Sequence, residues 1–164
     1  MLNHDGPAYL RLGRPAVETV TDEIPGYSFA LGKGCTLRGG SDATVIATGM
    51  MVQMALKAAE QLQAEGISLR VIDMPTIKPL DEALVLQAAQ ETGVIVTSEE
   101  HSVIGGLGAA VAEYLSENYP VPVIRHGVED CFGRSGTAAA VLAHYGLTPE
   151  VLCQKVKLAL SKKR

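Results

Sequence analysis

The stretch "ATVIATGMMVQMALKAAEQLQAEGISLRVIDM", residues 43–74, decides the fold class because it predicts a strand, a helix and a second strand. Its opening "ATVIATG" is a continuous β-rich run, as expected for a strand that is buried on both faces. The apolar residues that follow share one helical face: Met51, Met54, Ala55, Ala58, Ala59 and Leu62. Gly66 is predicted to end this helix, because glycine adopts a left-handed backbone at little cost, and "SLRVIDM" is the second strand.

The same alternation continues through the rest of the chain. The further predicted elements are a helix from Asp81 to about Thr92 with Gly93 as its stop, a strand at 94–100, a helix at 109–118, a strand at 122–127 and two short helices, the last beginning at Thr148-Pro149. Residues 29–40 are predicted to form an extra edge strand or hairpin. Alternating strands and helices predict an α/β fold with a parallel sheet and helices on both faces.

Composition limits the class of protein. The chain has 164 residues, which suits one domain, and its 47% hydrophobic and 20% charged residues exclude a disordered chain. The net charge of -4 argues against a nucleic-acid-binding protein, which needs a clustered basic face. The one basic cluster, Lys162–Arg164, follows a predicted helix and complements the dipole of that helix.

The sequence also predicts where the protein resides. Cys35, Cys131 and Cys153 are odd in number and lack C-x-x-C spacing, so a disulfide framework is not expected and a reducing cytoplasm is. Residues 1–20 have no basic start followed by an apolar core, so no secretory signal is predicted. No apolar run approaches the ~20 residues that cross a bilayer. We therefore expect a soluble cytoplasmic protein.

Polar residues at the strand ends form the first candidate site. Ligands of parallel sheets usually bind beyond the carboxyl ends of the strands, and Glu99, Glu100 and His101 follow one such strand. These residue types suit general acid/base chemistry, but adjacent strand residues point to opposite faces. We therefore predict a polar rim that satisfies the loop backbone or contacts a partner. The glycines within 105–108 are predicted to allow close strand–helix packing, with the helix N–H groups as a weak alternative anion site.

"DCFGRSG", residues 130–136, is the second candidate. It is not a nucleophile elbow, because glycine directly follows Ser135, and we predict that Ser135 caps a helix. Cys131 could act as a nucleophile only beside a base and outside the core, so we predict a buried, inert thiol. The histidines lack metal-ligand spacing, and no metal site is predicted from them: His4, His101, His126 and His144.

Arg11 and Arg14 lie where a short β-like run, "AYLRLG", meets a polar linker that contains proline. An arginine in this setting suits bidentate binding of a phosphate or carboxylate. From the local sequence alone, a solvated linker residue is the favoured interpretation of both.

Several segments together resemble the carboxyl-terminal part of transketolase: "GPAYLRLGR" at 6–14, "IATGMMVQMALKAAEQL" at 46–62, "VIDMPTIKPLD" at 71–81, "EEHSVIGGLGAAVAE" at 99–113 and "EDCFGRSG" at 129–136. The last two of these segments are the most specific. The resemblance covers essentially the whole chain in order, and it is strongest to the split form, in which a separate chain carries the carboxyl-terminal section.

The resemblance implies a three-layer α/β/α fold with a five-stranded mixed sheet whose first strand is antiparallel. It also implies a division of the chain into the last strand of an otherwise absent pyrimidine-binding domain at 1–15, a linker at 16–28 and a transketolase C-terminal-like domain at 29–164. "EEHSVIGGLG" would then be a structural strand-to-helix turn near subunit contacts.

The implied activity is transfer of a two-carbon ketol unit between sugar phosphates, as in the pentose phosphate pathway. Transketolases bind thiamine diphosphate and magnesium between two other domains, and the Gly-Asp-Gly that begins their magnesium motif is absent here. We therefore expect no catalytic, cofactor-binding or metal-binding residue in this chain and no activity of the chain alone. One residue carries over, because Arg14 occupies the position of the arginine that binds the substrate's sugar phosphate; Arg11 gains no such role.

The expected partners are an N-terminal transketolase section with its pyrimidine domain and, weakly, a second copy of this chain. Three alternatives remain open at this point. The chain could be a non-catalytic assembly module, or it could be the terminal domain of a 2-oxoacid dehydrogenase β subunit or of deoxyxylulose-phosphate synthase.

Overall fold

A computed structural model describes residues 4–13, 15–22 and 24–163. Its elements in chain order are β1 (Cys35–Arg38), β2 (Ala43–Ala47), α1 (Met51–Ala64), β3 (Leu69–Asp73), α2 (Glu82–Thr92), β4 (Ile95–Ser102), α3 (Leu107–Asn118), β5 (Val123–Val128), α4 (Ala138–His144) and α5 (Pro149–Leu160). The predicted alternation of strands and helices from residue 43 onward is confirmed.

The strands form one mixed sheet in the order β1-β3-β2-β4-β5. Strand β2 pairs in parallel with β3 and β4, and β4 pairs in parallel with β5. Strand β1 pairs antiparallel with β3 at the edge, so residues 29–40 contribute a single edge strand and not a hairpin. The expected five-stranded sheet with an antiparallel first strand is confirmed.

Two apolar cores lie on opposite faces of the sheet and make the fold three-layered. Buried residues of α1 and α5 form one core with β2 and β3, and buried residues of α2 and α3 form the other. Strand β2 is buried along its whole length because helices cover both of its faces. The amphipathic pattern of α1 is confirmed, since Met51, Ala55 and Leu62 are all buried.

Local sequence signals set most helix ends. Asp81 caps α2 by accepting a hydrogen bond from the N–H of Leu84, and Gly93 ends it with a φ of 68°. Thr148 caps α5 in the same way, with Pro149 in the first turn. This last helix has 12 residues and is longer than predicted. Helix α3 begins at Leu107, before the predicted Ala109, because a buried carboxylate bonds its first N–H groups.

The segment before the sheet behaves differently. Residues 8–13, the "AYLRLG" run, form no strand in the structure, and the side chains of Tyr9, Leu10 and Leu12 are exposed. The division of the chain at residues 15 and 28 therefore stays a prediction. Within the described residues, no helix combines the length and the apolar character needed to cross a bilayer.

Candidate functional site

The carboxyl ends of the parallel strands form the edge where a ligand site is expected. Strands β2 and β4 are neighbours, and the chain leaves β2 towards β3 but leaves β4 towards β5. The crevice between their carboxyl ends is therefore the topological switch point of the sheet. Thr48 and Gly49 lie on the β2 side of this crevice, and Ser98 to Ser102 lie on the β4 side.

Glu99 is a buried charged residue at this edge. One carboxylate oxygen accepts a hydrogen bond from the N–H of Leu107 at 2.7 Å, and the other accepts one from the N–H of Gly108 at 2.8 Å. The carboxylate thus satisfies two donors at the amino terminus of α3 and complements the helix dipole. Glu99 therefore satisfies the loop backbone, as predicted. The alternative of an external anion on these two N–H groups is wrong, because Glu99 already occupies them.

Glycines make this arrangement sterically feasible. A Cβ on Gly106 would overlap with the Glu99 carboxylate, and one on Gly108 would lie 2.7 Å from the Thr97 hydroxyl. On the neighbouring strand, a Cβ on Gly127 would lie 2.8 Å from the His101 carbonyl oxygen. The glycines at 106 and 108 therefore allow the close strand–helix packing that the sequence predicts.

His101 and Glu100 face solvent beside this buried turn. The Nδ1–H of His101 donates to the Ser102 carbonyl at 2.8 Å, and the same nitrogen lies 4.0 Å from the Glu99 carboxylate. Because the carbonyl can only accept, Nδ1 carries a proton in this contact. Glu100 is exposed and lines a separate groove. The three residues do not converge on one point, as the strand geometry predicts.

His126 ties the sheet to the carboxyl-terminal helices. Its ring is buried, with Nε2 2.8 Å from the Gly146 carbonyl and Nδ1 2.9 Å from the Ser98 hydroxyl. The carbonyl requires a proton on Nε2, and in the neutral ring Nδ1 then accepts from the Ser98 hydroxyl. Burial lowers the pKa of His126, which is consistent with the neutral form. Its role here is to hold the turn between α4 and α5.

Asp73, at the end of β3, lines a cavity of about 320 Å³ with Thr48, Gln53 and the linker residues Val17 and Glu18. The Asp73 residue is only 9% exposed, and desolvation raises its pKa. Cys35 is its register partner on β1, and burial followed by the Asp73 charge raises the pKa of that thiol. Asp73 lies near the end of the predicted strand "SLRVIDM", but residue spacing does not predict that it lines a cavity with the linker.

A larger groove of about 660 Å³ lies at the switch point itself. Pro15, Met50 and Glu100 line it from the linker and the sheet edge. The opposite wall comes from the start of α4 and the residues before it: Gly136, Thr137, Ala138, Val141 and Leu142. The groove is thus mainly apolar, with one carboxylate at its side.

Other predicted site residues have different outcomes. Arg14 lies outside the described residues, and Arg11 is exposed. The prediction of a buried thiol at Cys131 is wrong, because the segment that carries it lies on the surface and Cys131 is exposed. Ser135 is not a helix cap either. Helix α4 begins two positions later than that prediction requires, and Thr137 caps it by accepting from the N–H of Ala140.

The described residues can be tested against a magnesium-bound cofactor. Within the parts of the chain that the structure describes, no group of three or more His, Cys, Asp and Glu side chains is placed to hold a metal ion. The most buried carboxylate, Glu99, is already bonded to backbone N–H groups. The described residues therefore do not fit a magnesium–diphosphate group.

Comparison with known proteins identifies the family. Residues 32–152 match the family model described as "Transketolase, C-terminal domain". The chain belongs to this family. It is 51% identical over 151 residues to the 6-deoxy-6-sulfo-D-fructose transketolase subunit of Clostridium sp. strain MSTE9, covering 90% of this chain and 45% of that subunit. It is 46% identical to a subunit of the apulose-4-phosphate transketolase of Phocaeicola vulgatus, covering 99% of this chain and 51% of that subunit.

A solved structure supports the same assignment. The structure of a "Split gene transketolase, inactive beta4 tetramer" matches 97% of this chain and 52% of its own chain, with a TM-score of 0.90 and 51% sequence identity. The chain is also 37–41% identical to several 1-deoxy-D-xylulose-5-phosphate synthases and spans 23–26% of their length. The resemblance to a transketolase C-terminal section is thus confirmed, and this chain spans about half the length of the curated transketolase subunits it matches.

Proposed function

We propose that this chain is the C-terminal section of a split-type transketolase, which transfers a two-carbon ketol unit between sugar phosphates once it is assembled with thiamine-binding domains. The observation that carries the proposal is the similarity of nearly the whole chain to about half of a split-gene transketolase chain. The deoxyxylulose-phosphate synthases are less similar, and this chain matches a smaller share of their length. This difference favours the split transketolase over the synthase.

We propose different roles for this chain and for the thiamine-binding domains. Thiamine diphosphate and magnesium would be held by the other domains and would supply the carbanion chemistry of ketol transfer. This chain would supply a rigid domain whose buried turn and two cores hold the sheet edge in place. We expect no saturable binding of thiamine diphosphate with magnesium by this chain alone, and calorimetric titration measures it directly.

The acceptor and donor sugars are not fixed by family membership. The two transketolase subunits compared above are named for 6-deoxy-6-sulfo-D-fructose and for apulose 4-phosphate. We propose a phosphorylated sugar for this chain because the resemblance to transketolases puts Arg14 at the sequence position of the arginine that binds the substrate's phosphate. In an assembled enzyme, Arg14→Ala should weaken phosphorylated substrates by ~1.5–3 kcal/mol, the size of a charge-assisted hydrogen bond. Arg11→Ala is the matched control, and an equal loss with unphosphorylated acceptors would contradict the assignment.

A chimera tests the function itself. The matching segment of the split-gene transketolase chain is replaced by this chain, and the product is combined with the remaining chain of that enzyme. We expect ketol transfer well above that of the same subunit without the segment. A chimera that assembles, binds thiamine diphosphate and shows no transfer would instead favour a non-catalytic assembly module. Sedimentation of this chain at graded concentrations tests the further proposal of a weak homodimer, which a strict monomer would refute.

A further inference from the structure

One continuous surface segment is left uncovered by the rest of the described chain. Every residue from 129 to 140 is exposed, and Phe132 is 98% exposed. The segment nevertheless has specific internal contacts, since the Tyr145 hydroxyl donates to the Phe132 carbonyl at 2.8 Å. This bond fixes the Phe132 backbone while its ring stays exposed, and aromatic residues are enriched in protein–protein interfaces.

Helix α4 is only partly covered by the rest of the described chain. It has seven residues, Ala138–His144, and none of them is buried. Helices this short are marginal in water and normally depend on tertiary packing of an apolar face. In α4 the apolar residues Ala138, Val141 and Leu142 line the 660 Å³ groove. Leu142 is half-buried and packs against the core of α1 and α5, whereas Ala138 is exposed.

The groove is also where the linker arrives. Pro15 lines it together with Thr137 and Ala138. Arg14 is joined to Pro15 by one peptide bond, so the chain on the amino side of Pro15 starts at the groove. The domain that contains the residues before Pro15 is therefore connected to this chain next to the groove.

We propose that residues 129–142 together with Met50, here called the α4 surface, are the docking surface for the domain that precedes Pro15 in the assembled subunit, with Phe132 as its apolar anchor. The occupant follows from the position of Pro15 in the groove. It also follows from length, because this chain spans 45–52% of the matched transketolase chains and a domain of comparable size completes them. The inference rests on the proposed function for the existence of that domain.

Cys131 provides a direct readout, since it is exposed and adjoins Phe132. A short pulse of N-ethylmaleimide, followed by peptide mass spectrometry, measures its modification in this chain alone and in the chimera. We expect modification of Cys131 to be at least tenfold slower in the chimera. Cys35 is the internal reference, because it lies on β1 at the opposite edge of the sheet and should react equally in both.

A matched pair of variants tests the anchor. The chain has two phenylalanines, and Phe29 is 59% exposed in the segment that leads to β1. In the chimera, Phe132→Ser should raise the rate of Cys131 modification at least fivefold, whereas Phe29→Ser should leave that rate unchanged. Each variant is referred to its own rate in the isolated chain, which removes any direct effect on the thiol.

The outcomes separate the docking surface from the function. Ketol transfer by the chimera with unprotected Cys131 would overturn the docking surface and leave the function standing. Protection without transfer would support the docking surface and count against the function. If Cys131 became protected in this chain alone as its concentration rises, a second copy would be the occupant and the proposed one would be wrong.

Discussion

The turn between β4 and α3 and the segment at 129–140 are both glycine-containing stretches at the same edge of the sheet, yet they differ in what completes them. In the turn, the Glu99 carboxylate fills the space beside Gly106 and bonds the first N–H groups of α3. In the exposed segment, Gly133 has open space around it and Phe132 faces solvent. The first stretch is explained by this chain alone, whereas the second has a form that this chain does not explain.

The two stretches thus have distinctive residue types for different reasons. A buried turn constrains residue types through steric fit and hydrogen bonding, and it needs no ligand. An exposed segment with a surface aromatic buries little apolar area within this chain, and the docking surface proposed above gives that residue a contact outside it. The comparison can be tested by substitutions that should be costly in the turn and almost without effect in the segment.

The largest effect is expected for Gly106→Ala. The new methyl group would overlap with the buried Glu99 carboxylate, which could move only by losing its bonds to the helix. We expect a loss of about 3 kcal/mol or more in the free energy of unfolding, from overpacking and a broken charge-assisted pair. Gly133→Ala is the matched control and should change it by less than about 0.5 kcal/mol. Urea titration measures both, and similar losses would mean that the turn is not the tighter region.

Glu99→Gln is the next largest change. Glutamine keeps one acceptor oxygen but places an NH2 group against the other backbone N–H, and it removes the charge that complements the α3 dipole. We expect a loss of about 2 kcal/mol. The adjacent Glu100 is exposed, so Glu100→Gln should stay within about 0.5 kcal/mol. Thermal unfolding of the two variants side by side would contradict this account if their midpoints fell equally.

Much of the fold was accessible from the sequence because its signals are local. Helical periodicity in α1, the Asp81 cap and the Thr148-Pro149 pair each depend on a few neighbouring residues. The start of α3 was placed too late because the residue that caps it, Glu99, lies on the preceding strand and reaches the helix only through tertiary packing.

The site was less accessible, for the same physical reason. Residue spacing could not show that Ser98 and His126 meet across β4 and β5, or that Asp73 lines a cavity with the linker. The exposure of Cys131 was also missed. Cysteine is a residue type that is usually buried, and nothing in the local sequence signals that this segment lies on the surface.

A pH titration tests the contribution of His126 to stability. This residue contacts Ser98 on β4 and holds the turn that follows α4. Burial lowers the pKa of His126 below its ordinary 6.5, so the unfolded chain binds more protons in the window below pH 6.5. This contribution to stability is complete above pH 6.5 and is lost as the pH falls towards the folded-state pKa. His126 can change the free energy of unfolding by at most about 1.4 kcal/mol per pH unit.

Variants identify the group responsible for that slope. Lys155 adds to the lowering of the His126 pKa and Glu129 opposes it, so both charges are kept in every variant. His126→Gln should remove its share of the slope between pH 5 and 6.5, whereas His144→Gln, at an exposed position, should retain it. Chemical denaturation at a series of pH values measures the slope, and an unchanged slope in His126→Gln would show that another group is responsible.

The smallest effect on this chain is expected for Phe132→Ser. A side chain that is 98% exposed buries almost no apolar surface, so its removal should change the free energy of unfolding by less than about 0.5 kcal/mol. Leu107→Ala is the contrasting change, because Leu107 is fully buried in the core beside α2 and should cost about 2–5 kcal/mol. A loss of more than about 1 kcal/mol for Phe132→Ser in the isolated chain would mean that the aromatic ring stabilises this fold directly. The segment at 129–140 would then resemble the buried turn, and the reason for assigning it to an external partner would disappear.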